Sequence, residues 1–176
     1  KLEYPQASDY NALYGAWGVN VSLLSVLQQD IGDPPSVAGW AAYYQIPQYH
    51  QLWINSDTLP KRNQITDILV VSGYRAGSDR LQINPLTFAE KFSRVANPSD
   101  FIDDLVQHMF TLDVSTEQKD YMRSILLSGQ VQDYHWTDAW NAYINDKNDT
   151  MKQNVVGVRL IMLFKYLMNL SEFQLS

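Results

Sequence analysis

The feature that most constrains the fold is a regular succession of signals that begin and end helices. Asn84-Pro85 and Asn97-Pro98 each place a capping residue before a proline at the first helical position. Ser115 and Gln118 have the spacing of a capping box, in which two side chains bond each other's backbone amides. Strand signals are weak by comparison. The chain is therefore predicted to be all-α, an irregular bundle of about six or seven helices.

The first helix is expected from about Asp9 to Gln29, because apolar residues recur there at spacings of three and four. The apolar residues that mark its core face are Leu13, Trp17, Val21, Leu24, Leu27 and Ile31. A second helix should begin at Ser56, whose hydroxyl can cap it, and end at Gly73. The turn-rich stretch that follows has room for one short strand, at residues 80–83.

Two further helices are expected near the end of the chain. Thr137 can cap the first, and Asp149 or Thr150 can cap the second. The second contains the most apolar stretch, residues 155–170, and is predicted to lie in the middle of the bundle. Two basic residues interrupt that stretch, and it is shorter than the roughly 20 residues that a membrane span needs. We therefore predict a buried helix and no membrane span.

Length, charge and cysteine content narrow the classes of fold and partner. A chain of 176 residues suits one compact domain with its own apolar core, so residues 1–176 are predicted to form a single helical domain. The net charge of −6 and the lack of a basic run argue against nucleic acid as a partner. Because the chain has no cysteine, disulfides, thiolate catalysis and Cys-based zinc sites are excluded.

Residues 33–55 combine three prolines with an unusual density of rings, so they cannot form one regular helix. The aromatic and histidine residues of this segment are Trp40, Tyr43, Tyr44, Tyr49, His50 and Trp53. In one interpretation, Trp40 and Trp53 anchor an irregular loop to the helical core. In the other, some of the remaining rings face solvent and form a platform for a sugar or a partner surface. Both interpretations can be true at once, because they concern different rings.

The start of this segment suggests how the loop is anchored. Pro34 and Pro35 force an extended exit from the first helix. Gly39 then allows Trp40 to fold back against the first and last helices. We expect Trp40 and Trp53 to be mostly buried, while at least two of the four other rings stay exposed.

Signatures of catalysis and of cofactor binding are missing from the sequence. The histidines His50, His108 and His135 lie in different segments without metal-binding spacing, so each is predicted to be structural and no metal is expected. The carboxylate pairs Asp103-Asp104 and Glu117-Asp120 fall on solvated helix faces near N-termini, where the helix dipole favours acids. Neither a nucleophile motif nor a phosphate-binding loop occurs, and no cofactor is predicted.

Three short elements carry a resemblance to a known family. They are Pro34, Pro35, Val37, Gly39 and Trp40, then Trp53, Ile54 and Asn55 followed by Arg62, and finally Ser171, Glu172, Phe173 and Gln174. In this order they resemble the C-terminal part of an uncharacterised bacterial family, domain-of-unknown-function family 1800. The chain departs from the family pattern in the long insert AAYYQIPQYHQL, where a shorter Gly/Pro linker is commoner.

The resemblance has consequences for partners and location. Members of the family are longer, so the chain is expected to be a C-terminal fragment whose N-terminal half is one partner. The chain begins KLEYPQ, with neither an initiator Met nor an apolar signal core, which suits a fragment. Many members resemble exported proteins, which implies an extracytoplasmic home, periplasmic or at the cell surface. The family offers no activity or catalytic residue to carry over.

Two hypotheses for function follow, and whether the protein is an enzyme is left open. The first is a binding or scaffold module that contacts a protein or a glycan through residues 40–53. The second is half of an enzyme, to which Asn55, Asp57 and Arg62 contribute polar groups. Arg62 could bind an anion, although such an arginine more often pins its own loop.

Overall fold

The computed structural model describes residues 10–30, 32, 54–76 and 79–175. The chain divides into two compact units, residues 1–83 and residues 84–176, and each is described by itself. Within the described residues the only strands form one small ribbon, and the prediction of an all-α fold is confirmed. The prediction that both units belong to a single domain stays a prediction.

The described elements of the first unit are α1 (Tyr10–Val26), α2 (Thr58–Val71), β1 (Tyr74–Ala76) and β2 (Asp79–Leu81). Those of the second unit are α3 (Pro85–Ala89), α4 (Pro98–Met109), α5 (Thr116–Leu126), α6 (Tyr134–Asn145), α7 (Thr150–Asn169) and α8 (Ser171–Gln174). No described helix combines the length and the hydropathy that crossing a membrane requires.

The core of the first unit lies where α1 meets α2 and the β-ribbon. Ala16 packs there with buried side chains from both neighbours, among them Leu69 and Leu81. The predicted core face of α1 was therefore wrong at Trp17 and Val21, which are 49% and 63% exposed. Because α1 carries apolar residues on nearly every face, periodicity alone does not choose between them. The small side chains of Ala12 and Ala16 are the ones buried.

The β-ribbon is bonded to the end of α2. Its strands pair antiparallel, with Tyr74 opposite Leu81. Gly73 ends α2 as predicted, in a left-handed conformation (φ +68°), and its amide donates to the Ile68 carbonyl at 2.6 Å. The Ile83 amide donates to the Leu69 carbonyl at 2.9 Å, so the chain leaving the ribbon returns along α2.

The second unit is built around α7, which contacts α3, α5, α6 and α8. The fully buried side chains at its centre include Phe101, Leu105, Met122, Trp136, Leu160 and Leu163. Thus α7 is central as predicted, but it is apolar on an exposed face as well as on its buried one.

Four of the predicted helix caps in the second unit are present. Asn84, Asn97 and Asp149 each accept hydrogen bonds from two amides of the following turn. Ser115 and Gln118 form the complete capping box.

The predicted cap at Thr137 was wrong, because α6 begins three residues earlier, at Tyr134. The Thr137 hydroxyl instead donates to the Ala96 carbonyl at 2.7 Å. The indole of Trp136 donates to the neighbouring Val95 carbonyl, also at 2.7 Å. These two bonds fix α6 against the turn before α4, and Thr137 lies inside the helix and not at its start.

Candidate functional site

Most of the residues proposed for the aromatic loop lie outside the described part of the chain. They are Pro34, Pro35, Gly39, Trp40, Tyr43, Tyr44, Tyr49, His50 and Trp53. Their predicted burial and exposure stay predictions. The candidate residues that the structure does describe are Asn55, Asp57 and Arg62.

Asn55 organises the turn that begins α2. Its Oδ1 accepts hydrogen bonds from the amides of Asp57 and Thr58, both at 2.9 Å. The buried Thr58 hydroxyl accepts in return from the Asn55 amide at 3.0 Å. This reciprocal pair satisfies amides that a helix start leaves without partners. The predicted cap at Ser56 was wrong. The residue before α2 is Asp57, whose side chain makes no cap hydrogen bond, and Asn55 supplies the side-chain bonds to the amides at the start of the helix.

Asp57 connects the start of α2 to the end of α1. One carboxylate oxygen accepts from Lys61 Nζ at 2.7 Å and from Gln28 Nε2 at 3.2 Å. Gln28 lies just beyond α1 in a left-handed conformation, which turns the chain sharply there. The charge of Asp57 is thus balanced locally by Lys61, and its second role is to hold two helix ends together.

Arg62 lies in the second turn of α2 and is partly buried. Burial lowers the pKa of its guanidinium from the ordinary value, because the charged form loses hydration. The hydrogen bonds above bring Asn55 and Asp57 into one turn. Arg62 follows that turn in sequence as a partly desolvated cation.

A line of exposed aromatic and apolar side chains runs along the outer side of α1. It consists of Tyr10, Tyr14, Trp17 and Val21, and we call it the α1 aromatic face. The rings of Tyr14 and Trp17 meet edge to face, with centroids 5.3 Å apart. The sequence analysis missed this face because it assigned Trp17 and Val21 to the core. The spacing of four, three and four residues from Tyr10 was the available signal.

An open cleft in the second unit is lined by Lys91, Phe92, Ser93, Asp104, Gln107 and His108. The ring of His108 lies against Phe88 and Phe92, with centroids 6.0 and 5.7 Å away. Asp104 is bonded by the guanidinium of Arg94. His108 is thus packed on aromatic rings, and the cleft's carboxylate already has a cationic partner.

The other carboxylates and histidine singled out in the sequence also have packing or pairing roles. Asp103 pairs with Lys119 Nζ at 2.8 Å. His135 lies against Tyr134, and its carbonyl accepts from Arg159 at 3.1 Å. In the described parts of the chain, no three His, Asp or Glu side chains converge closely enough to hold a metal ion.

The Ser-Glu-Phe-Gln element, residues 171–174, makes its described contacts with other residues of the second unit. Glu172 accepts from Gln118 Nε2 at 2.9 Å, so the capping box of α5 extends to α8. The ring of Phe173 packs on Phe110, with centroids 6.0 Å apart. Gln174 Nε2 donates to the Met168 carbonyl at 2.7 Å. These contacts give the element a structural role.

Comparison with known proteins adds one finding. The model of a family described as "Protein of unknown function (DUF1800)" matches residues 11–175. This match confirms the resemblance drawn from the short sequence elements. Searches of curated proteins and of solved structures each find no match.

Proposed function

Since the chain belongs to the DUF1800 family of proteins of unknown function across residues 11–175, we propose a function from its own surface: it is a protein-binding module. The α1 aromatic face carries the proposal. Tyrosine and tryptophan supply much of the binding energy at protein interfaces, and adjacent exposed rings are uncommon on surfaces that contact only water. Here Tyr14 and Trp17 are both exposed and already in contact with each other.

The chemistry of α1 suits a protein partner. The helix carries no Asp, Glu, Lys or Arg over its 17 residues, although the chain as a whole has a charge of −6. Burying this face against a partner therefore costs little charge desolvation, which is the main penalty that interface cores avoid.

The ring geometry favours a protein over a glycan. The planes of Tyr14 and Trp17 are 88° apart, so the two rings do not form one flat platform. A single sugar can stack on one ring, but a saccharide cannot lie flat across both, whereas a protein surface can accept rings at different angles in separate pockets.

The aromatic segment of residues 40–53 is proposed to extend the same contact. It follows α1 in the chain, and Tyr43, Tyr44, Tyr49 and His50 would add rings of the same type. The partner proposed first is the N-terminal region that the family resemblance implies. The same resemblance underlies our proposal of an extracytoplasmic location, which fractionation of the source cells would test.

The test is isothermal titration of the chain with that N-terminal region, produced as a separate protein. Tyr14→Ala and Trp17→Ala should each raise Kd about tenfold or more, the loss expected for a hot-spot residue. The control is Tyr134→Ala, which removes an equally exposed ring from the second unit and should leave Kd unchanged.

Stability must be measured on the same variants. Because Tyr14 and Trp17 are exposed, their Tm values should stay within a few degrees of that of the unsubstituted chain. Equal affinity in all variants, or no binding by the unsubstituted chain, would rule the proposal out. A steep fall in Tm would show instead that the rings stabilise the first unit. If the chain binds an oligosaccharide and not the N-terminal region, the proposal of a protein partner is wrong and the partner is a glycan.

The enzyme alternative receives no specific support from Asn55 or Asp57, since their described bonds cap α2 and join it to α1. A screen for hydrolase and transferase activity on the full-length protein remains its direct test.

A further inference from the structure

The outer face of α7 is apolar although the inner face of the same helix already lies in the core. Four of its side chains are between 48% and 77% exposed: Met151, Val155, Val158 and Met162. Together they form what we call the α7 stripe. The opposite side of the helix buries Val156, Leu160, Leu163 and Leu167. An exposed stripe of this kind is typical of a helix that packs against a further helix.

The α7 stripe has an internal symmetry. Its members are separated by four, three and four residues, and their order is Met, Val, Val, Met. A two-fold axis between Val155 and Val158 therefore superposes the stripe on itself with the helix direction reversed. In such a pair, Met151 lies opposite Met162 of the second helix, and Val155 lies opposite Val158. Self-complementarity of this type is what a symmetric dimer interface requires.

From this symmetry we propose that the occupant of the α7 stripe is a second copy of the chain, in a symmetric antiparallel dimer. The small Val155 and Val158 at the centre let the two helices approach closely. Methionine at either end is flexible enough to fill the remaining space. The proposal concerns the second unit and does not depend on the α1 aromatic face.

The position of Lys165 near the end of α7 favours an antiparallel over a parallel pair. Lys165, one turn beyond Met162, comes level with Asn148 and Asp149 of the second copy. Asp149 is already bonded within its own chain, by the amides of Met151 and Lys152 and by Lys152 Nζ at 3.4 Å. The antiparallel arrangement therefore adds no new ion pair at Asp149, but it keeps Lys165 of the two copies apart, whereas a parallel pair would bring them together.

The length of the contact sets the strength that we expect. From Met151 to Met162 the helix rises about 17 Å, at roughly 1.5 Å per residue. The rings of Tyr121 and Tyr166, with centroids 4.8 Å apart, lie beside the C-terminal end of the stripe and widen it. A stable dimer usually buries about 800 Å² on each partner, which a single helix pair of this length does not reach. The dimer should therefore be weak, with Kd on the order of 10–100 μM.

Cysteine cross-linking tests both the contact and its direction, because the chain has no natural cysteine. Met151→Cys and Met162→Cys are made as separate single variants and mixed under mild oxidation. The mixture should form the mixed disulfide several times faster than either variant forms a disulfide with itself. The control is Val131→Cys, a highly exposed position outside α7, which reports random collision.

Sedimentation velocity across the micromolar range provides the second measurement. The unsubstituted chain should shift toward a dimer with concentration, whereas Val158→Glu should stay monomeric with an unchanged circular dichroism spectrum. If the unsubstituted chain is monomeric throughout, or the mixed disulfide forms no faster than the Val131→Cys disulfide, the proposal is wrong. Preferential cross-linking of Met151→Cys with itself would overturn the antiparallel arrangement.

Discussion

Glu90 joins a buried tyrosine to a lysine through a single carboxylate. One oxygen accepts from the Tyr143 hydroxyl at 2.5 Å, and the other pairs with Lys147 Nζ at 2.9 Å. The tyrosine hydrogen bond, followed by that of Lys147, lowers the pKa of Glu90. Burial, followed by the hydrogen bond to Glu90, raises the pKa of Tyr143 to about 12. Both shifts make stability depend on pH, at opposite ends of the scale.

Tyr143→Phe should reduce the free energy of unfolding by about 1.5–3 kcal/mol at pH 7, the usual contribution of a hydrogen bond to a charged group. A lowered carboxyl pKa stabilises the fold above pH 4.5, the ordinary value for Glu, and this contribution disappears as pH falls through the folded pKa. The difference from the unsubstituted chain should therefore shrink in acid. Urea unfolding at pH 3, 5 and 7 measures it.

At alkaline pH the unfolding free energy of the unsubstituted chain falls as pH rises, whereas in acid it falls as pH decreases. The Tyr143 contribution is complete below pH 10 and is lost between pH 10 and about 12, because the phenol must ionise on unfolding. Tyr143→Phe should lack this loss. Tyr134→Phe, at an exposed ring, is the control and should change the unfolding free energy by less than about 0.5 kcal/mol. A constant difference across the whole pH range would contradict this account of Glu90.

Single capping residues show what local sequence can and cannot predict. Asn84, Asn97 and Ser115 were identified correctly because a cap and the amides it bonds lie within four residues of each other. The prediction of a cap at Ser56 failed because the neighbouring Asn55 bonds the amides at the start of α2, and local sequence does not distinguish two adjacent residues that can both cap. Thr137 failed because its partner, Ala96, is distant in sequence.

At the scale of elements, the two ends of α2 differ in how strictly they constrain the sequence. The start tolerates Pro60, because first-turn amides need no intrahelical partner. The end requires Gly73. A Cβ at that position would lie 2.7 Å from Gln82 Cβ and 2.9 Å from the Leu81 carbonyl oxygen, closer than real side chains approach. Close contact with the β-ribbon thus adds to the cost of a left-handed backbone.

Gly73→Ala should destabilise the chain more than Gly129→Ala, which is the matched control. Both glycines are left-handed, at φ +68° and +76°, but a Cβ at Gly129 would meet no atom within 4 Å. Backbone strain alone should cost about 1–2 kcal/mol at Gly129. Overlap with the ribbon should make the cost at Gly73 larger by about 1 kcal/mol or more. Chemical denaturation measures the loss of unfolding free energy in both variants. Equal losses would show that the β-ribbon moves aside for the added Cβ at no cost in free energy.

The packing of α1 shows where element-scale prediction from sequence ends. Helix bounds were close, since α1 was expected from Asp9 to Gln29 and runs from Tyr10 to Val26. Its buried face was misassigned, because packing against α2 and the β-ribbon buries the small Ala16 and leaves the larger Trp17 exposed. That choice depends on residues about sixty positions away. The sequence therefore predicted that a helix forms but not which side of it would be available to a partner.

On the scale of the whole molecule, the chain divides into two compact units, with the boundary between Ile83 and Asn84. The second has its own buried core and four capped helices, and all the bonds described for these caps lie within it. Its central helix was predictable from an apolar run in the sequence. The division into units was not predicted, because the turn-rich stretch before Asn84 was interpreted as room for a short strand and not as a boundary.

Residues 84–176, produced alone, should fold cooperatively and keep near-ultraviolet circular dichroism from the buried Trp136. The physical reason is that this segment already contains the core, the caps and the α8 contacts described for it. Thermal unfolding followed at 222 and 290 nm should give coincident transitions. A fragment that binds apolar dyes and lacks a near-ultraviolet signal would instead support one indivisible domain over residues 1–176.

The contacts of α8 have a consequence for the order of events during synthesis. The start of α5 and the ring of Phe110 emerge from the ribosome well before Glu172 and Phe173, which complete their surroundings. A nascent chain stalled before Ser171 would therefore present an uncovered aromatic side chain to chaperones and proteases. The residues of α8 thus separate a nascent chain in which Phe110 is covered from one that cellular quality control can recognise as incomplete.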